Sequence, residues 1–146
     1  MNKEQAELQR NIITIRIEEP VPESQKSHIA VGASSIIGTR KNQQDSIYTS
    51  CGSDMAIAVV CDGMGGMEGG ELASQLAIQI LSQEYEEREN QQIPEFYRRA
   101  VVHMDNGVSS LMREDGEAMN AGTTVVSAVI QLSLIHISEP TRLLSI

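Results

Sequence analysis

The feature that most limits what this chain can be is the run Val59-Val60-Cys61-Asp62-Gly63-Met64-Gly65-Gly66. Residues 55–61 form an unbroken apolar stretch of strand length, the pattern of a strand buried on both faces. It ends in a carboxylate, and residues 62–70 then hold five glycines. The strand therefore delivers Asp62 to a sheet edge on a rigid support. The glycines beside it let backbone amides and carbonyls come close to a small ligand. Hard divalent cations take such oxygen donors: carboxylates, carbonyls and water. Spacing alone fits a plainer reading equally well, a tight turn in which Asp62 caps the next helix, because a glycine-rich loop beside an aspartate is a weak signal.

Two further segments carry chemistry. Gly38-Thr39-Arg40-Lys41-Asn42-Gln43-Gln44-Asp45-Ser46 offers a guanidinium and a carboxylate five positions apart at the entrance to a strand. An Arg fork matches phosphate oxygens bidentately; the alternative is a surface Arg beside an Asx-type turn. Ala121-Gly122-Thr123-Thr124 opens an apolar, β-branched strand, and its simplest role is structural.

Around these segments the patterning predicts strands at residues 11–17, 28–34, 46–50, 55–61 and 123–131. Pro20 and Pro22 mark residues 18–27 as a loop, and Gly52-Ser53-Asp54 is a turn. A helix is predicted over about residues 71–88, with Leu72, Leu76, Ile80, Ala73, Ala77, Leu81 and Tyr85 on its inner face. A second is predicted over about residues 94–112, with Phe96, Ala100, Met104, Val108, Leu111 and Met112 inward, Pro94 at its start, and Gly107 weakening it by about 1 kcal/mol. Strands grouped before a helix pair predict an α+β fold with the helices antiparallel.

Composition narrows the function classes. At 146 residues the chain is one domain by length, and 40% hydrophobic with 21% charged residues is an ordinary globular mixture. A net charge of −9, from 11 basic and 20 acidic residues, argues against nucleic-acid binding. The apolar runs are too short to span a membrane, and residues 1–10 lack a secretory pattern, so the expectation is a cytoplasmic protein. Cys51 and Cys61 read as reduced thiols. His28 and His103 have no second ligand at useful spacing. The acidic run Glu84, Glu86, Glu87 and Glu89 reads as a solvated helix face, and Met64, Met67, Met104 and Met112 as packing material.

Taken together and in order, the Arg40-to-Asp45 spacing, the Asp62-Gly63-Met64-Gly65-Gly66 loop, the helix start Gly70-Glu71-Leu72-Ala73-Ser74 and the Gly122-Thr123-Thr124 strand resemble the type 2C (PPM) metal-dependent serine/threonine protein phosphatases. The resemblance implies half of a β-sandwich flanked by antiparallel helices, with a two-metal site for Mn2+ or Mg2+ at one end. It implies that Asp62 bridges the ions, that the Gly63 carbonyl reaches one of them, that Asp45 supports the site, and that Arg40 binds the substrate phosphate. Gln44 stands where some family members have Glu, and Gln43 where Asn is more usual. In two-metal chemistry an activated water attacks phosphorus in line, so no serine, cysteine or histidine triad is needed. The partners implied are phosphorylated proteins.

The resemblance also sets limits. Family domains are roughly twice as long as the matching part here, and their further metal-binding aspartates have no counterpart in this chain. Residues 132–142 read as the translation of a transposase-type sequencing-library adapter. The expected organisation is therefore an N-terminal arm at residues 1–27, a truncated phosphatase domain at 28–131 and a non-native tail at 132–146. Such a chain would lack ligands for two ions and would be inactive, with apolar faces and open strand edges that favour aggregation. The rival reading is a non-catalytic, phosphatase-like regulatory domain. A nucleotide-binding glycine loop is disfavoured, since no Lys-Ser/Thr follows it.

Overall fold

The computed structural model describes residues 12–18, 28–37, 39, 42–64, 66–88, 92–132 and 134–144. Strands β1 (Ile12–Glu18) and β2 (His28–Ser34) pair antiparallel as a two-stranded sheet. Strands β3 (Asp45–Cys51), β4 (Met55–Gly63), β5 (Gly122–Gln131) and β6 (Leu134–Leu144) follow one another in a four-stranded antiparallel sheet. Helices α1 (Gly70–Glu86) and α2 (Ile93–Ser109) lie between β4 and β5 in the chain. This is the expected α+β class, with two further strands after the helix pair completing the sheet.

The sheet buries its helix-facing side. Ile57, Val59 and Cys61 on β4, with Val125 and Val129 on β5, meet Ala77, Leu81 and Tyr85 of α1 and Phe96, Ala100 and Met104 of α2. Fully burying an aliphatic or aromatic side chain of this size stabilises by about 1.5–3 kcal/mol, so this cluster is the main source of cohesion. Tyr85 meets Phe96 edge-on, with ring centroids 5.9 Å apart. Hydroxyls tie the helices to the sheet: Ser46 with Ser74 at 3.0 Å, Tyr97 with Ser127 at 2.9 Å, and Tyr48 donating to Glu86 at 2.6 Å.

The helices run antiparallel, as expected. Gly107 of α2 lies against Leu76 and Ile80, and further along α1 Glu84 meets Arg99 and His103. A Cβ at Gly107 would sit 2.5 Å from Ile80 Cδ1. The glycine that weakens α2 locally is thus a point where the helices approach closely.

Three side chains depart from the sequence reading. Leu72 is 47% exposed, because the buried stripe of α1 runs through the smaller Ala73, Ser74 and Ala77. Small residues let that helix settle close on β4. Met112 is 59% exposed: α2 stops at Ser109, and Met112 bridges Ala118 in the loop beyond. Glu84 is buried rather than solvated. Burial pushes its carboxyl up, but hydrogen bonds to His103 and Arg99 outweigh this and hold it below the usual carboxylate value.

Strand β4 runs two residues past the apolar run, so Asp62 and Gly63 belong to the sheet. Residues 134–144, expected to be foreign to the domain, pair antiparallel with β5 as an edge strand. Main-chain pairing accepts almost any β-compatible sequence, so the strand and the origin of its residues are separate matters.

Candidate metal centre

The turn between β3 and β4 sets the geometry of the site. Gly52 N–H donates to the Met55 carbonyl at 2.8 Å, and the strands zip outward from there. Asp45 and Asp62 are equally far from that turn, so the register places them directly opposite each other. Cross-strand partners have Cα atoms about 4.5–5.5 Å apart and share a face. Residues of β4 alternate in direction, and Ile57, Val59 and Cys61 face the helices. Asp62 and Asp45 therefore stand on the opposite face, at the end of the strand pair.

Thr124 of β5 flanks Asp62 on its other side, and its Oγ1 lies 3.5 Å from the Asp62 carbonyl. Thr123, one position earlier, is fully buried on the helix side. The Gly-Thr-Thr segment starts the strand, and its second threonine stands beside Asp62 in the register.

The glycine loop is fastened at its root. Gly63 N–H donates to the Gln44 carbonyl and Met64 N–H to the Gly122 carbonyl, both at 3.0 Å. A Cβ on Gly63 would lie 2.2 Å from the Gly70 carbonyl oxygen and 2.7 Å from the Gln44 carbonyl oxygen. Only a glycine fits where the end of β4, the start of α1 and the residue before Asp45 converge. Helix α1 is capped by Gly69 with no side-chain cap bond, so Asp62 is not its cap. That removes the plainer reading of the aspartate.

The donor set suits a hard cation. Two carboxylates face each other, and the Oδ1 atom of Asp45 is buried, in surroundings where a positive partner is worth most. Among the described residues no group of three or more acidic, histidine or cysteine side chains converges on such a site. Arg40 lies outside the described residues. Cys61, next to Asp62, has its thiol pushed up to about 12 by burial and is unsuited to be a nucleophile or a soft ligand.

No family profile matches the chain. Over 87 residues it is 27% identical to the serine/threonine phosphatase stp of Listeria monocytogenes, an alignment covering 57% of this chain and 34% of that protein. The stp of Listeria welshimeri matches with the same identity and coverage. The chain thus spans about a third of the length of these curated relatives. The crystal structure of the Mycobacterium tuberculosis serine/threonine phosphatase PstP/Ppp superposes with a TM-score of 0.51 at 21% identity, covering 84% of this chain and 42% of that one. The catalytic domain of PstP in complex with two manganese ions superposes with a TM-score of 0.51 over 83% of this chain and 43% of that one. The chain is therefore similar in sequence to part of these serine/threonine phosphatases, and over most of its length it shares the fold of part of the solved PstP structures.

Proposed function

We propose that the protein to which this segment belongs hydrolyses phosphoserine and phosphothreonine in proteins with the help of two bound Mn2+ or Mg2+ ions. The observation that carries the reading is the cross-strand pair Asp45–Asp62 at the root of a glycine loop. Asp62 would hold both ions, the Gly63 carbonyl would contribute to one, and Asp45 would support them. When bound, such ions lower the pKa of a coordinated water and offset charge on the transferring oxygens. Arg40 would grip the substrate phosphate through its two-pronged guanidinium. The manganese-bound PstP structure supports the choice of metal.

Two carboxylates are too few to hold two divalent ions tightly. The 146 residues on their own are therefore expected to be inactive, with the remaining ligands supplied from outside them. The second reading is a phosphatase-like domain that binds a partner without hydrolysis. A cytoplasmic location fits both readings; among the described residues no helix is long and apolar enough to cross a membrane.

The test is to sequence the source locus through the codon for Gln131, express the whole reading frame and assay a phosphothreonine peptide with Mn2+. Metal-dependent turnover that Asp62→Asn abolishes supports the enzyme. A folded product with no turnover leaves the binding domain.

A further inference from the structure

The glycine loop is held at its far side by a segment that the motif reading passes over. Residues 111–119 fold back on themselves: Arg113 N–H donates to the Glu117 carbonyl at 2.8 Å, Gly116 N–H to the Arg113 carbonyl at 3.0 Å, and Met119 N–H to the Leu111 carbonyl at 2.9 Å. Arg113 is thus fixed on a closed turn before its side chain does anything. Its Nε donates to Glu68 Oε2 at 2.7 Å, 45 positions away in the chain and inside the glycine loop. Two more contacts join the same pair of segments. Gly69 N–H donates to the Asn120 carbonyl at 3.1 Å, and the Met119 side chain and Ala121 Cβ press against the Gly69 backbone. The loop itself closes internally through Met67 N–H to the Met64 carbonyl at 2.9 Å.

We propose that the Glu68–Arg113 ion pair is a latch that holds the glycine loop in place, so that both are positioning residues for the loop that follows the Asp62–Gly63 end of β4. The functional consequence rests on the metal-centre reading; the latch itself does not. Its electrostatics are specific. Three other carboxylates, Glu114, Asp115 and Glu117, lie on the same turn as Arg113. Of these, Asp115 Oδ1 already accepts the Glu117 N–H at 3.0 Å. Glu68 is the carboxylate that meets the guanidinium, and it does so from the loop. Both side chains are partly exposed, at 39% for Arg113 and 52% for Glu68, so the pair is open to screening by salt. The latch therefore makes loop order depend on ionic strength, which a purely apolar closure would not.

The experiment is site-resolved amide hydrogen exchange at Met67 and Gly69, whose N–H groups close the loop, in the full 146-residue chain without metal. Arg113→Gln and Glu68→Gln are each expected to speed exchange at these two amides by about two- to fivefold, the range an exposed ion pair supports. Core amides of β4 should stay unchanged. Salt at about 1 M should produce the same rise in the unmodified chain and almost none in Arg113→Gln, and the swap Glu68→Arg with Arg113→Glu should restore slow exchange. The salt series on the unmodified chain needs no variant, so a variant that folds badly does not remove the test. Exchange that ignores salt in the unmodified chain, or a salt response that persists in Arg113→Gln, overturns the latch. Because no metal is present, that failure is distinct from a failure to bind Mn2+.

Discussion

Substituting Gly63 with alanine puts the convergence at the root of the glycine loop under direct strain. The added Cβ would lie 2.2 Å from the Gly70 carbonyl oxygen, 2.6 Å from its carbon and 2.7 Å from the Gln44 carbonyl oxygen. All three are backbone atoms, so no rotamer change relieves the clash; α1 or residue 44 must shift. Overpacking of this kind costs about 1–3 kcal/mol, occasionally more. A shift that breaks the Gly63 N–H to Gln44 bond adds about 1 kcal/mol. The expected loss is about 3 kcal/mol, a large share of the ~5–15 kcal/mol that holds an ordinary domain together. In a chain of this size that is a fall in Tm of about 6–12 °C. Urea unfolding followed by circular dichroism measures it, with Gly66→Ala as control, since nothing lies within 4 Å of a Cβ there. The control is expected to stay within about 1 kcal/mol of the parent. If Gly63→Ala unfolds within about 0.5 kcal/mol of the parent, the loop root is not packed as described.

Three other outcomes follow from burial and charge. A thiol reagent under native conditions should label Cys51 quickly and leave Cys61 untouched, because Cys51 is exposed while burial pushes Cys61 up to about 12; mass spectrometry of the labelled chain reads the ratio. Glu84 has its carboxyl lowered in the folded state, so its contribution is present above its unfolded value of 4.5 and is lost as pH falls through the lower folded value. Urea midpoints measured from neutral to acid pH should therefore fall less steeply in Glu84→Gln than in the parent. Glu84→Ala, which removes the acceptor for Arg99 and His103, should cost about 1–3 kcal/mol at neutral pH in the same assay.

Most of the fold can be read from local pattern. The apolar run at residues 55–61, the turn after β3 and the alternation around Thr14 and Arg16 place strands to within a residue or two. The helix pair follows from apolar spacing and Pro94. What the spacing misplaced are side chains whose fate depends on a distant neighbour. Leu72 has helical spacing, but small residues decide which face of α1 meets the sheet. Glu84 looks like part of a solvated acidic run until α2 brings Arg99 and His103 to it.

The site was legible in the same uneven way. Asp45 and Asp62 stand out only as members of separate motifs. Their opposition depends on register, which the Gly52 turn fixes, and a reader who centres the hairpin on that turn can deduce the pairing. Glu68 and Arg113 carry no local signal at all, since 45 positions separate them and each is an ordinary loop charge. Arg40 falls outside the described residues, so its place is an expectation from the motif alone.

The central claim is that Asp45 and Asp62 form a cation site, and paramagnetic line broadening tests it most directly. Mn2+ is titrated into the isotope-labelled chain while amide signals are followed by NMR. The account predicts weak binding, with the signals of Asp45, Asp62, Gly63 and Thr124 broadened first, and loss of that preference in Asp62→Asn. Broadening that begins instead at the exposed acidic surface around Glu86 and Glu87, with the Asp45–Asp62 pair no more affected than the rest, would contradict it.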